Sequence, residues 1–150
     1  MNKIIPLEII CNVVVNYFKC EPIDIFNGSR KRKILLRRQW FHYLARTLNP
    51  EYIVSATDIG EFYYDNNKIK FDHATVLHSV KKINGYIDSY KEFKDLEKYF
   101  ISEIKLLSII QDPYIDNEKT EKLIFCVPMK YNSISIPFIK NLQKLCFQNQ

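Results

Sequence analysis

Asp72-His73-Ala74-Thr75-Val76-Leu77-His78 begins the most informative helix of this chain. Aspartate is a preferred helix N-cap, because its carboxylate accepts hydrogen bonds from the free backbone N–H groups of the first turn. Apolar residues follow at helical spacing, at Val76, Leu77, Val80 and Ile83. The pattern predicts an amphipathic helix over residues 73–84 that Gly85 ends. Its polar, partly basic outer face is expected to carry Ser79, Lys81 and Lys82.

A shorter helix is expected before this one. Thr57 or Asp58 is the predicted N-cap of a brief helix over residues 59–63, and the polar segment Tyr64–Lys70 predicts a loop or a small hairpin. A short helix, a turn and a capped second helix form the layout of a helix-turn-helix, which binds duplex DNA in many proteins.

The densest charge of the chain lies upstream, where the segment Arg30–Arg38 holds six cations and no acid. Apolar residues from Ile34 to Leu48 recur at helical spacing and predict a helix over residues 31–48, in which Trp40 and Phe41 are expected to be core residues. Cations in a first helical turn oppose the macrodipole, and a bound anion relieves that cost. A phosphate site at this helix start is therefore physically reasonable.

The remaining segments complete a mainly α prediction. A helix is expected to start near Pro6 and to bury Leu7, Ile10, Val14 and Phe18, and at most one helical turn is expected around residues 23–26. A last long helix is expected over residues 89–110, ending a domain of residues 1–110. In the C-terminal extension of residues 111–150, Leu123–Val127 predicts a short strand or a buried extended segment, and Pro137 is the expected start of a final helix.

Composition excludes several classes of protein. The chain has 150 residues, of which 47% are hydrophobic and 26% charged, within the range of folded globular domains. It contains no apolar run of the roughly 20 residues that cross a bilayer, and its N-terminus lacks the features of a signal peptide, so we expect a cytoplasmic protein that does not enter a membrane. The four cysteines are scattered and form no CxxC pair, which indicates reduced thiols.

Catalysis, a metal and a cofactor are not expected. The three glycines stand too far apart for a nucleotide-binding loop, and no nucleophile, base or pair of carboxylates stands at a useful spacing. His73 and His78 point about 140° apart on a helix and lack a third ligand, so we expect no metal.

From about Ile5 to Ile110 the chain resembles the C-terminal DNA-binding domain (domain IV) of the bacterial replication initiator DnaA. The basic loop and the following helix of that family are similar to Ser29-Arg30-Lys31-Arg32, Arg38-Gln39 and Tyr43-Leu44-Ala45-Arg46. Its signature at the recognition helix is similar to the segment Asp72–His78 with Lys82-Ile83. Two shorter matches fall in the same order, Tyr17-Phe18 before the segment Ile23–Phe26, and the segment Asp58–Glu61.

The resemblance implies an all-helical, TrpR-like helix-turn-helix domain that binds a short, asymmetric box in double-stranded DNA. Arg30 would enter the minor groove, while Asp72, His73 and Ala74 would face base edges in the major groove. Phosphates would be held by Thr75, Arg38, Gln39, Arg46 and Lys82, and the neighbouring cations Arg32 and Lys81 join the candidate DNA-binding residues.

The chain departs from the family pattern at three places. Ala74 stands where the family usually has Thr, about five extra residues precede Asp72, and the connection from Asn49 to Thr57 is longer. No segment resembles the ATPase module of the initiator, so we expect a stand-alone protein that acts in replication or transcription control.

Two questions stay open at this level. The richness in Lys, Ile, Asn and Tyr is typical of an A/T-rich genome, and a phage or another mobile element is one origin that we consider. The alternative function is that of a protein-interaction or structural module, which would reuse the helical scaffold. It would bind a partner or a second copy through residues 111–150 or the inserted loop.

Overall fold

The computed structural model describes residues 4–62 and 69–110, which contain six helices and no strand. The helices are α1 (Leu7–Phe18), α2 (Pro22–Phe26), α3 (Arg32–Leu48), α4 (Ala56–Glu61), α5 (His73–Ser89) and α6 (Lys91–Ile110). The mainly α prediction is thereby confirmed for this part of the chain. The strand and the final helix expected in residues 111–150, and most of the loop or hairpin over Tyr64–Lys70, lie outside the described residues.

Helix α3 is the centre of the fold and contacts each of the other five helices. Its middle turns bury Trp40, Phe41, Leu44 and Ala45, as the apolar spacing predicts. The ring of Trp40 stacks on Phe93 of α6, with 5.8 Å between ring centroids. The aromatic residues expected in the core are therefore core residues.

Local signals explain where most helices begin. Pro22 occupies the first turn of α2, where its missing N–H costs nothing, and Glu21 and Asp24 form a capping box around it. Ser55 and Asp58 form a second capping box at α4, in which the Asp58 N–H donates to the Ser55 hydroxyl at 3.2 Å. The prediction that Thr57 or Asp58 is the N-cap is wrong by two or three residues, since Asp58 is the third residue of the helix.

Gly85 does not end α5, although the sequence predicts that it does. The helix continues to Ser89, because Gly85 keeps helical geometry on an exposed face and its neighbours Ile83 and Tyr86 pack on the core. The chain breaks at Tyr90 instead, where the backbone is extended. Helix α6 starts at Lys91 and packs against α1, α3 and α5.

A buried asparagine ties the N-terminal segment to the end of α3. The Ile5 N–H donates to Asn49 Oδ1 at 2.9 Å, and Asn49 Nδ2 donates to the Ile5 carbonyl at 3.1 Å. None of the described helices is long and apolar enough to cross a membrane.

Candidate nucleic-acid interface

The first turn of α5 faces solvent. The Thr75 N–H donates to Asp72 Oδ1 at 2.6 Å, so Asp72 is the N-cap that the sequence predicts. Hydrogen bonds from Thr75 hold the pKa of Asp72 below its usual range, which keeps the carboxylate ionised at neutral pH. His73 and Ala74 are exposed, and Thr75 is partly buried. An acceptor, an imidazole and a methyl group thus lie side by side at an accessible helix end.

The chain segment before α5 is anchored to α4. The Phe71 N–H donates to the Gly60 carbonyl at 2.8 Å, and the Phe71 carbonyl lies where a side chain on residue 60 would have to be, 2.1 Å from an ideal Cβ. Only glycine permits this approach. The extra residues before Asp72 therefore fall between two backbone positions that are bonded to each other, and α5 starts directly after this closed point.

Further along α5, the exposed face carries His78, Lys81 and Lys82. Leu77 is 46% exposed and Ser79 only 3% exposed, so the expectation for these two residues is reversed. The buried stripe of α5 runs through Val76, Ser79 and Ile83. The reversal follows from a polar contact inside the core, since Ser79 Oγ lies 3.1 Å from His42 Nδ1 on α3.

His42 is a neutral core residue. The Ser79 hydroxyl donates to the Thr75 carbonyl at 2.9 Å, so it accepts from His42, which places the imidazole proton on Nδ1. Burial, and secondarily the charge of Arg38, lowers the pKa of His42 to about 3. The imidazole also packs on the Phe71 ring, with centroids 5.7 Å apart. His42 therefore supports the N-terminal half of α5 from inside.

The basic loop, residues 27–31, connects α2 to α3. Gly28 has a φ of +71°, a left-handed conformation that glycine adopts without strain. The Ser29 N–H donates to Asn27 Oδ1 at 2.9 Å, and the Lys31 N–H donates to Ser29 Oγ at 3.2 Å. These bonds shape the loop and leave the Arg30 side chain exposed.

The start of α3 is basic and lacks a side-chain cap. Arg32 and Lys33 are exposed in its first turn, which contains no acid. Among the described residues, no carboxylate forms an ion pair with Arg30 or Arg32. Both cations are thus available to an external anion, as the sequence predicts.

Arg38 and Gln39 lie in a different environment from the one expected of phosphate ligands. Arg38 is only 4% exposed and Gln39 only 7%, because both belong to the buried part of α3. The Arg38 guanidinium donates to the Ile25 carbonyl at 3.3 Å and to the Ser29 carbonyl at 3.0 Å. Its free face covers the Phe71 ring. The expected surface position of these two side chains is therefore corrected.

Arg46 is already paired within the protein. Its Nη2 lies 2.5 Å from Glu51 Oε2, and its side chain is 19% exposed against 72% for Glu51. A phosphate at this point would have to compete with that carboxylate. The connection after α3, longer than in the family pattern, supplies the competing acid.

Residues 7–83 match the family model described as the bacterial dnaA protein helix-turn-helix. They make up just over half of the chain and run from the start of α1 into α5. The chain belongs to the bacterial DnaA helix-turn-helix family. Its helix-turn-helix is formed by α4, the Gly60–Phe71 connection and α5.

Curated proteins give the same assignment. The chromosomal replication initiator protein DnaA of Bacteroides fragilis is 40% identical over 96 residues, which cover 63% of this chain and 18% of the relative. The protein with the same description from Thermus thermophilus is 32% identical over 91 residues, 61% of this chain and 19% of the relative. The chain thus spans under a fifth of the length of these DnaA relatives. No solved structure shows a significant match.

Within this DnaA-type domain, the candidate residues fall into two exposed groups and one buried group. The exposed groups are the α5 start with its cations, and the basic loop with the α3 start; the buried group comprises Arg38 and Gln39. Gly60, Phe71 and His42 support the α5 start and are absent from the sequence-based set. A lone glycine two residues after the capping box of α4 is a signal for the first of them, whereas nothing in the local sequence marks the other two.

Proposed function

We propose that this domain binds double-stranded DNA sequence-specifically, with the start of α5 in the major groove. The observation that carries the proposal is the exposed first turn of α5, where Asp72, His73 and Ala74 are accessible together. The carboxylate of Asp72 accepts from the cytosine amine, an imidazole N–H of His73 donates to purine N7, and the Ala74 methyl packs against thymine.

The basic loop supplies the second contact. Arg30 enters the minor groove next to the segment that α5 contacts, and narrow A/T-rich grooves attract its guanidinium most strongly. The family assignment supports this division of roles, because Ser29-Arg30-Lys31-Arg32 and Asp72–His78 lie within the matched range.

Phosphate binding is assigned to exposed groups. Arg32 at the α3 start and Lys81 and Lys82 on α5 neutralise phosphates, and Thr75 contributes a hydroxyl at the edge of the groove. Gln39 stays in the proposed set only at its exposed margin, and Arg46 joins it when Glu51 is displaced.

The biological setting proposed is the control of replication or transcription at boxes of the DnaA type. The relatives are described as chromosomal replication initiators. The ATP-dependent work of an initiator is outside this proposal, since the match covers less than a fifth of each relative.

Selection from a pool of randomised duplexes tests the proposal. We expect the parent domain to enrich one short asymmetric sequence. Replacing its purines one at a time by 7-deaza analogues, which lack N7, should weaken the parent at one position by about tenfold. The His73→Ala variant should lose no further affinity at that position. Enrichment of no sequence, or equal sensitivity of parent and variant, would exclude the assigned role of His73.

A further inference from the structure

Arg38 joins two parts of the candidate interface through one planar group. Along its edge, Nη1 donates to the Ile25 carbonyl in α2 and Nη2 donates to the Ser29 carbonyl in the basic loop. Along its face, the guanidinium carbon lies 4.5 Å from the centroid of the Phe71 ring. Phe71 in turn bonds Gly60 and immediately precedes the Asp72 cap of α5.

This arrangement depends on the shape of arginine as well as on its charge. Burying a guanidinium costs free energy unless its N–H groups are bonded. No carboxylate among the described residues forms an ion pair with it, so two carbonyls and one aromatic face replace water. Lysine has neither the fork of N–H donors nor a flat face, so it cannot bind a loop and a ring at once.

We infer that Arg38 is a positioning residue that fixes the basic loop relative to the start of α5, so that minor-groove and major-groove contacts are made in one register. The inference rests on the proposed function for its consequence, while the coupling itself concerns the free protein. Because the geometry of a duplex fixes the offset between adjacent grooves, a loop that moves relative to α5 loses simultaneous contacts. Affinity for the correct sequence falls, whereas attraction to any phosphate backbone is kept.

The coupling can be measured without DNA by amide hydrogen exchange. The reporters are the N–H groups of Ser29 and Lys31 in the loop, and those of Phe71 and Thr75 at the α5 start, all hydrogen-bonded in the structure. Arg38→Lys and Arg38→Gln should both accelerate exchange in the two segments by about tenfold, with the Phe100 amide in the core of α6 as the reference. Arg32→Lys and Arg32→Gln are the matched controls and should leave both segments unchanged.

Two outcomes of this experiment overturn the inference. One is acceleration in a single segment, or in neither. The other is a uniform acceleration that includes Phe100, because it marks general loss of stability rather than loss of the coupling.

Binding then separates positioning from phosphate contact. The duplex selected by the parent is compared with a scrambled duplex of the same composition. For a positioning residue, Arg38→Lys and Arg38→Gln both lower the preference for the selected duplex by about tenfold, and Arg38→Lys leaves the salt dependence unchanged. For a phosphate ligand, Lys restores binding, and Gln weakens both duplexes alike with a salt slope smaller by about 1. A parent that prefers no duplex refutes the proposed function, while the exchange data still decide the coupling.

Discussion

Asp72 has two separable tasks, because one residue both caps α5 and presents a carboxylate at the candidate interface. Asparagine is as good an N-cap as aspartate, whereas alanine cannot cap. We expect Asp72→Asn to unfold within a few tenths of a kcal/mol of the parent, and Asp72→Ala to lose about 1 kcal/mol in urea titrations.

On DNA the same two variants should behave alike. Both lose the acceptor for cytosine, so both should lose the preference at one base pair, by about tenfold. If Asp72→Asn keeps the parent preference, the carboxylate is only a cap and faces no base.

His42 makes stability depend on pH in a direction that burial dictates. Its pKa in the folded state is about 3, below the usual 6.5, so the folded state binds fewer protons than the unfolded state between these values. The free energy of unfolding is therefore highest above about pH 6.5 and falls by about 1.4 kcal/mol per pH unit below it.

The matched variant for this prediction is His42→Asn, which keeps an amide donor near Ser79 and does not titrate. Urea titrations between about pH 6 and about pH 4 should give a slope that is smaller in the variant by about 1 kcal/mol per pH unit. Equal slopes would show that His42 is accessible to protons in the folded state.

At the scale of residues, the sequence predicts chemistry better than position. Asp72 as a cap, and Trp40 and Phe41 as core residues, follow from local patterns. The burial of Arg38 could not be predicted, because it depends on carbonyls at Ile25 and Ser29 and on the ring of Phe71, thirty-three positions further along. A cation in a basic segment is solvated unless the fold brings such groups to it.

At the scale of elements, the connection between α4 and α5 is closed at one backbone contact. In Gly60→Ala the new methyl would overlap the Phe71 carbonyl, 2.1 Å from the ideal Cβ position. Since backbone must move on one side, we expect a loss of about 2 kcal/mol or more in the free energy of unfolding.

Gly85→Ala is the matched control for this substitution. Gly85 lies inside α5 with nothing within 4 Å of an added Cβ, so alanine should stabilise the domain by about 0.5–1 kcal/mol. Thermal unfolding of the two variants should therefore shift in opposite directions. A small effect of Gly60→Ala would mean that the contact between residues 60 and 71 does not hold α5 in place.

Element positions follow from the sequence more closely than element ends. All six helices coincide with segments of predicted helix, because each buries an apolar stripe against α3 or a neighbour of α3. The sequence misplaces the ends at Ser55 and Ser89, because adjacent capping candidates compete at one end and tertiary packing overrides a glycine at the other. It also places Ser79 on the wrong face, because the partner of Ser79, His42, lies on another helix.

At the scale of the whole molecule, the distribution of charge decides how the domain approaches DNA. The chain carries a formal net charge of +5, and in its described part the cations Arg30 and Arg32 form no ion pair. Arg46 is the exception, since Glu51 neutralises it. The ion pair is exposed on one side, so its loss should change stability little.

Glu51→Gln should therefore release Arg46 for a phosphate. We expect affinity for every duplex to rise about two- to fivefold at low salt, without a change in sequence preference. Glu92→Gln on α6 makes the same change in net charge and is the control. An equal rise in the control would reduce the effect to net charge and leave Arg46 without a role.

The most direct test of sequence-specific DNA binding is a salt series of dissociation constants. It compares the selected duplex with a scrambled one, for the parent, His73→Ala and Lys82→Ala. We expect the parent to prefer the selected duplex by about 10³ or more at physiological salt. His73→Ala should lose about tenfold or more of that preference at an unchanged salt slope, and Lys82→Ala should weaken both duplexes with a slope smaller by about 1. Binding of the parent no tighter than about 10⁻⁴ to 10⁻⁶ M, and equal for both duplexes, would contradict sequence-specific recognition.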